Sequence, residues 1–428
     1  MQLLESSRRI ILVVFFIFAG EAHAQGRYLG AGSCASSNCH GSVKAQPGST
    51  ILRNEYITWY KEEAHSRAFE RLKNNDSKRI AQLLGLGAPD QEQLCLECHA
   101  TYVAPGSRGP KFRLQDGVSC ESCHGPSEGW IKSHTSREAT HGDNVSKGMF
   151  DIVSLKARAT ICLKCHFGTD DQTVNHRLIG AGHPRLTFEL DFFSLLQPNH
   201  WQVDDDYVKR KSGYSSARAW LVGQVLRSSD MMDMLLSKKR SKNGAMPELT
   251  AYYCYSCHHN LTADQWKQRT YDGDPGELRL NLSSLIMVRE ALAALDPGLS
   301  EQFSTQMKQL HDAHRDGTAE PIITQLKSAL DGPIYQKATS VGLEKDTLRS
   351  LLKKIAGYAA NTSYLQFEVA EQAYMGMTAL TDAYASKNAA YGKKLDAIYA
   401  TVSSGKKEED FQAAAFTEAT KGFAAIIE

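Results

Sequence analysis

The ten cysteines of this 428-residue chain all lie in five short motifs, in which a pair of cysteines is followed at once by a histidine. Two residues separate the cysteines in four motifs, and four residues separate them in the first. The motifs are Cys34/Cys39/His40, Cys95/Cys98/His99, Cys120/Cys123/His124, Cys162/Cys165/His166 and Cys254/Cys257/His258. This spacing lets two thiols bond the vinyl groups of one porphyrin while the next imidazole binds the iron. The sequence therefore predicts five covalent haem c groups with these histidines as proximal ligands.

Zinc sites and disulfides are the alternatives for such a cysteine pattern. Zinc would gather thiolates from two cysteine pairs or take a histidine several residues away, and an even cysteine count in an exported chain also suits disulfides. Neither needs a histidine directly after every second cysteine. With 15 histidines in 428 residues, five accidental ones have a chance on the order of 10⁻⁷ to 10⁻⁸, which favours haem attachment. In the first motif, the spacer 35–38 has to bulge away from the porphyrin.

The N-terminus has the features of a secretory leader. Arg8 and Arg9 precede an apolar run over 10–19, and Ala22-His23-Ala24 then forms a small-residue cleavage site. The run is about ten residues long, well short of the roughly 20 that a spanning helix needs. We therefore predict a cleaved signal peptide over 1–24 and a periplasmic location.

Two segments follow, and both favour a mainly α fold. Residues 25–270 carry all five motifs, are rich in Gly and Pro and have few alternating strands, so we expect short helices and loops around stacked haems. Residues 277–428 have no cysteine, and their apolar residues recur at helical spacing, which predicts a helical bundle. Deleting this bundle is expected to leave the haem content intact. The apolar stripes are Leu348/Leu351/Leu352/Ile355 and Leu365/Val369/Ala373/Met377/Leu380/Tyr384.

Seven further histidines of the haem segment compete to be the second, distal iron ligands. Methionine is sparse there, so mainly His/His ligation and low potentials are expected. The distal candidates are His65, His134, His176, His183, His200 and His259. The seventh, His141, lies in a polar loop and is expected to be exposed. In the bundle, His311 and His314 are interpreted as solvated or capping, and Met375 and Met377 as packing residues.

From Cys34 to His166 the order of motifs resembles the cytochrome c-554 family, tetrahaem periplasmic electron carriers. Their haem packing is shared with hydroxylamine oxidoreductase and the multihaem nitrite reductases. Besides the motifs, the resemblance rests on Trp59 with Ala64-His65, and on Gly-Val-Ser-Cys-Glu-Ser-Cys-His-Gly-Pro over 117–126 followed by His134. The four-residue spacer, the fifth motif and the C-terminal segment depart from the family pattern.

The resemblance implies specific distal ligands. His134 would be distal to the haem of Cys34, and His65 to the haem of Cys120. The family can also leave the haem of the second motif, here on His99, without a distal ligand from the protein.

Two functions compete on these grounds. The leading prediction is electron transfer between a donor and an acceptor protein. The alternative is an oxidoreductase acting on a small nitrogen or sulfur compound at a five-coordinate haem on His99, with Tyr102, Arg108 or Arg113 as polar neighbours. The bundle is a candidate docking surface for a membrane oxidoreductase or for a second copy of the chain.

The charge pattern indicates no nucleic-acid partner. The 49 Lys and Arg are dispersed and nearly balanced by 48 Asp and Glu. Haem propionates would make the loaded protein acidic.

Overall fold

A computed structural model describes residues 26–46, 51–202, 204–205, 207, 209, 214–258, 278–362, 365–403 and 411–428. The mainly α prediction is confirmed. Within those ranges the sheet structure is one short hairpin of β1 (Lys242–Asn243) and β2 (Met246–Pro247), with Lys242 opposite Pro247 and Asn243 opposite Met246. None of the helices in the described ranges has both the length and the apolar character that a membrane span requires. The predicted leader and His259 lie outside the described residues.

Nine short helices, joined by longer stretches of loop, lie in the described part of the first segment before residue 200. They are α1 (Glu55–Glu62), α2 (Ala68–Arg71), α3 (Asn75–Leu84), α4 (Gln93–His99), α5 (Cys120–His124), α6 (His141–Ser146), α7 (Leu155–His166), α8 (His176–Gly180) and α9 (Leu190–Leu196). Side-chain caps start several of them, such as Asn74 on Ser77 N and Ser154 on Ala157 N. Helix α3 ends at Gly85, whose φ of 70° suits a residue without a Cβ.

Three of the haem motifs occupy the last turn of a helix. Helices α4, α5 and α7 end at His99, His124 and His166 respectively. In an α-helix, residues three apart lie on one face, so the two cysteines of each motif project together. The first motif instead follows a 3₁₀ turn, Ala31–Ser33, and the fifth starts on another, Cys254–Ser256.

The remaining helices form a bundle around one buried helix, α10 (Ser216–Leu236). The other helices of the bundle are α11 (Ser283–Leu295), α12 (Pro297–Arg315), α13 (Glu320–Ala329), α14 (Tyr335–Ser340), α15 (Lys345–Asn361), α16 (Phe367–Ala385), α17 (Ala389–Val402) and α18 (Ala413–Ala424), with a π turn over Leu330–Ile334. Sixteen of the 21 residues of α10 are buried, so this helix is surrounded on all sides. Two glycines allow close approach: a Cβ on Gly223 would lie 2.7 Å from Leu190 Cβ, and one on Gly376 would lie 2.7 Å from Trp220 Nε1.

The helical stripes predicted for the bundle face its interior. All four members of the first stripe are buried, as are the first five of the second, and Tyr384 packs against them. Met375 and Met377 are also buried among apolar side chains, which is the packing role expected of them. The predicted bundle is therefore present.

The apolar core runs without a break across the boundary expected near residue 270. One cluster of buried side chains extends from Ala159 on α7 to Ile427 at the C-terminus. Helix α10 precedes that boundary, yet it packs against α7 and α9 on one side and against α11 and α16 on the other. Polar contacts also cross it: Arg185 pairs with Glu371 at 2.7 Å, and Cys254 N donates to Glu368 at 3.1 Å.

We therefore predict a different outcome for deletion of residues 277–428 from the one that the sequence favoured. The deletion would expose the apolar faces of α10 and remove Glu368 from the fifth motif. Pyridine haemochrome analysis is expected to show at least one haem per polypeptide fewer, with most of the product insoluble. Asp346→Asn, at an exposed position of the same segment, is the control for export and maturation. A soluble truncated protein with its full haem content would contradict this prediction.

Candidate haem sites

Five pairs of imidazole rings face one another in the structure. Each pair joins the histidine of one cysteine motif to a histidine from another part of the chain. The pairs, with the distances between ring centres, are His40–His134 (6.3 Å), His65–His166 (6.2 Å), His99–His183 (6.3 Å), His124–His200 (6.4 Å) and His176–His258 (6.2 Å). Five of the six distal candidates therefore lie opposite a proximal one, and the sixth, His259, lies outside the described residues.

The separation in these pairs suits an iron between the rings. A metal bonded at about 2 Å to one nitrogen of each imidazole would hold the ring centres roughly 6 Å apart. The five distances span only 6.2 to 6.4 Å, although the angles between the ring planes range from 14° to 90°. Direct ring contacts elsewhere come as close as 5.1 Å. A common spacing at unrelated angles indicates a group between the rings rather than ring packing.

Burial also favours the neutral form of several rings, which is the form that binds a metal. It lowers the pKa of His99 and His200, and it lowers the pKa of His166 to about 4. A neutral imidazole has a free nitrogen lone pair, so these rings are ready to bind a metal at neutral pH. The donor set therefore fits the haem that the motifs imply.

The first site combines the motif with the four-residue spacer and His134. Ser36, Ser37 and Asn38 of the spacer are exposed, so the chain bulges outward there as the sequence required. His134 lies in a 3₁₀ turn where its N donates to Trp130 O, and the Trp130 ring contacts its edge at 5.3 Å. The resemblance implied this pairing of His134 with the first motif.

His65 takes a different partner from the one that the resemblance implied. Its carbonyl accepts from Val118 N at 3.0 Å, and a Cβ on Gly117 would lie 2.5 Å from that same oxygen. The backbone of His65 is therefore docked on the loop that leads to Cys120. Its ring nevertheless faces His166 of the fourth motif, and His124 of the third motif faces His200 instead. The loop before Cys120 positions the backbone of His65, but the His65 ring faces His166 of the fourth motif.

The second site, for which the family pattern allows an open iron, also has two imidazoles. His183 follows α8 in a loop where Gly182 has a φ of 114°. His183 Nδ1 lies 2.7 Å from Pro184 O, and His99 Nδ1 lies 3.0 Å from Ala68 O. A carbonyl partner puts the proton on Nδ1, which leaves Nε2 of both rings for a metal.

The distal histidine of the fifth site lies on α8, just before that loop. His176 opens α8, and its N donates to Glu248 Oε1 at 2.8 Å. Its ring faces His258 at an angle of 35°. The distal histidines of the second and fifth sites are thus seven residues apart.

Three histidines stand apart from these pairs. His141 is exposed, as expected, and its Nε2 lies 3.1 Å from Asp151. His314 was expected to be solvated or capping, but it is partly buried and its Nε2 lies 2.7 Å from the Tyr252 hydroxyl. His311, also expected to be solvated or capping, lies on α12 three residues before His314.

Cysteines of different motifs lie side by side. All ten are free thiols in the structure. Each of three thiols is near enough to one of another motif to raise its pKa: Cys34 acts on Cys120, Cys165 on Cys98, and, in addition to burial, Cys162 on Cys123. The described residues contain no group of three or more Cys, His, Asp or Glu arranged to hold a metal ion by themselves.

Two of the predicted haem-binding cysteines, Cys39 and Cys257, differ from the other eight in burial. The sequence predicts one role for all ten, but Cys39 and Cys257 are exposed, whereas the rest are partly buried. Neither follows a full helical turn that would direct its thiol inward. Cys39 N donates to Ser36 O at 2.8 Å at the end of the outward bulge, and Cys257 N donates to Cys254 O at 3.2 Å after a 3₁₀ turn.

The first and fifth motifs therefore differ from the other three in how far their cysteines are enclosed. In the first and fifth motifs the first cysteine of the pair is partly buried, but the second lies at the surface. The thioether roles of Cys39 and Cys257 stay predictions that rest on the motifs. A haem attached through either thiol would have that edge near solvent.

Sequence reasoning missed two carboxylates that hold ligand imidazoles. Glu55 Oε2 lies 3.0 Å from His40 Nδ1, and Glu63 Oε1 lies 2.7 Å from His65 Nδ1. The hydrogen bond to Glu55 raises the pKa of His40 in spite of burial. Glu63 stands two residues before His65, so the sequence could have indicated this contact. Glu55 is 15 residues from His40, and no local pattern links the two.

Comparison with known proteins supports the haem interpretation of the cysteine motifs. The arrangement is that of a c-type cytochrome, which binds haem covalently and takes part in electron transfer. The family model for cytochrome c554 and c-prime matches residues 33–125, a stretch that covers the first three motifs. The chain is thus similar to that family over 93 of its 428 residues. No curated protein and no solved structure gives a significant match.

We predict that removing one distal imidazole opens one iron. His183→Ala should turn the haem on His99 from low spin to high spin, so that about a fifth of the total haem binds carbon monoxide when reduced. Optical and EPR spectra of the oxidised and reduced protein measure this change. His141→Ala, a histidine outside the pairs, should leave the spectra unchanged. An unaltered low-spin spectrum in the His183 variant would show that this ring is not a ligand.

Proposed function

We propose that this protein is a periplasmic electron carrier with five haem c groups, each bound by two histidines. The observation that carries the proposal is a second imidazole opposite every proximal histidine, with 6.2 to 6.4 Å between the two ring centres. Haem c supplies a reversible one-electron iron couple, and two imidazole ligands give it a lower potential than a Met/His pair. The chain's part is to hold both ligands in place in each oxidation state.

Paired imidazoles favour electron transfer over catalysis. A reductase or oxidase of a small nitrogen or sulfur compound needs an open iron position. The candidate for that position was the haem on His99, and His183 faces this ring. The polar neighbours proposed there have other contacts: Arg108 donates to Val103 O and lies over Tyr102, while Arg113 lies 3.6 Å from Asp116.

Neighbouring cysteines support an order for the electron path. The Cys34–Cys120 contact joins the first motif to the third, Cys123 and Cys162 join the third to the fourth, and Cys98–Cys165 joins the fourth to the second. The segment from His176 to His183, which consists of α8 and the loop after it, links the second site to the fifth. We propose that electrons follow the motifs in the order first, third, fourth, second, fifth.

Location and partners complete the proposal. Thioether attachment of haem takes place outside the bacterial cytoplasmic membrane, which agrees with the leader predicted over 1–24. The donor and acceptor are redox proteins, and the helical bundle provides a docking surface for one of them or for a second copy.

Counting and classifying the cofactors tests this function directly. Pyridine haemochrome analysis with an intact mass is expected to give five haems per chain and no free thiol, Cys39 and Cys257 included. Fewer haems, or thiols that bind zinc, would overturn the proposal.

We predict two classes of low-spin EPR signal from the angles between paired rings. Near-parallel imidazoles give a rhombic signal and near-perpendicular ones a strongly anisotropic signal, because ring orientation splits the iron d orbitals. His40–His134, at 14°, belongs to the first class. The pairs of His166, His124 and His99, at 77°, 73° and 90°, belong to the second. A spectrum dominated by high-spin iron would contradict the bis-histidine assignment.

A further inference from the structure

The non-coordinating sides of the ligand imidazoles differ from site to site. In the second site both Nδ1 atoms lie against backbone carbonyls. In the first and fourth sites one ring instead faces a carboxylate: Glu55 for His40 and Glu63 for His65. The same type of iron ligand therefore has a neutral acceptor in one site and an anionic acceptor in two others.

Glu63 is held rigidly beside His65. Its N donates to Trp59 O at the end of α1, and its carbonyl accepts from Ser66 Oγ at 2.8 Å. The residue is buried, with 6% of its surface exposed, and its carboxylate lies 2.7 Å from His65 Nδ1. The first two bonds fix the backbone of Glu63, and burial together with the Nδ1 contact holds its carboxylate beside the ring.

A carboxylate in this position favours the oxidised iron in two ways. Accepting the Nδ1 proton makes the imidazole a stronger electron donor to the metal. The negative charge also stabilises the extra positive charge of ferric iron, and this interaction is stronger where water is excluded. Both effects lower the reduction potential of the site: the hydrogen bond acts through the His65 ring, and the charge acts on the iron through space.

We propose that Glu63 and Glu55 are tuning residues that give the His65–His166 and His40–His134 sites lower reduction potentials than the His99–His183 site, whose Nδ1 atoms face carbonyls. The inference rests on the proposed function, since it assumes that these pairs bind haem iron. The His65–His166 site should therefore be reduced after the His99–His183 site when electrons are added. Glu63 is more buried than Glu55, with side-chain exposures of 8% and 15%, so its effect should be the larger.

Redox titration of Glu63→Gln tests the proposal. Glutamine keeps an oxygen that can accept the Nδ1 proton but removes the charge, and Glu63→Leu removes both. The midpoint potential of one haem should rise in the glutamine variant and rise further in the leucine variant. The control is Glu62→Gln, because Glu62 is the exposed preceding residue, and its midpoints should equal those of the unmodified protein.

EPR spectra during the titration show which class of haem responds. Glu63→Gln should shift a transition of the strongly anisotropic class, because His65 and His166 are 77° apart. Glu55→Gln should shift the rhombic signal of the near-parallel His40–His134 pair. A carboxylate that only supports the fold would not give one shift in each class.

Outcomes of this experiment separate the inference from the proposed function. Five low-spin haems with unchanged midpoints in both glutamine variants would overturn the tuning role and leave the electron carrier intact. High-spin haems in the unmodified protein would instead overturn the bis-histidine assignment, and the tuning role with it. Should Glu63→Gln lose its haem, Glu55→Gln decides the matter: an upward shift of the rhombic signal supports tuning, and an unchanged signal refutes it.

Discussion

The architecture of the first segment depends on imidazole pairs that meet from distant parts of the chain. The only other cluster of buried apolar side chains in the described residues, apart from the large core, consists of Phe69, Leu72, Leu96 and Ala100. So small a cluster cannot offset the entropy of ordering some 150 residues of short helices and loops. A porphyrin held by two thiols and two imidazoles contributes apolar surface and four cross-links at once. Cofactor and fold are therefore interdependent in this part of the molecule.

The bundle stabilises the protein in a different way. Its helices bury conventional apolar stripes around α10, and the cluster they form extends into α7, which carries the fourth motif. Helix α16 also contacts the haem segment through Glu371, which pairs with Arg185, and through Glu368, which accepts from Cys254 N. The bundle thus supports the fourth and fifth motifs, and the motifs of the first, second and third sites rely more on their cofactors.

A bis-histidine carrier still needs a way to make its sites differ. The five pairs have similar separations, so first ligands alone would give similar potentials. The acceptors of the Nδ1 protons differ instead, being carboxylates at two rings and carbonyls at others. In the proposed carrier, a change of Nδ1 acceptor changes the reduction potential of the iron but keeps the ligand geometry on which the fold depends.

The sequence by itself determined the proximal half of every candidate site and the helical character of the rest. The cysteine motifs are local, because both thiols and the imidazole lie within seven residues, and the stripes of the bundle are local because a helix repeats every 3.6 residues. Only the tertiary structure decided how far each thiol is enclosed and which distal histidine meets which motif. His65 and His166 are about a hundred residues apart, and no period or spacing encodes the path between them. The same reason explains why Glu55 escaped notice: its role depends on where the chain folds back on His40.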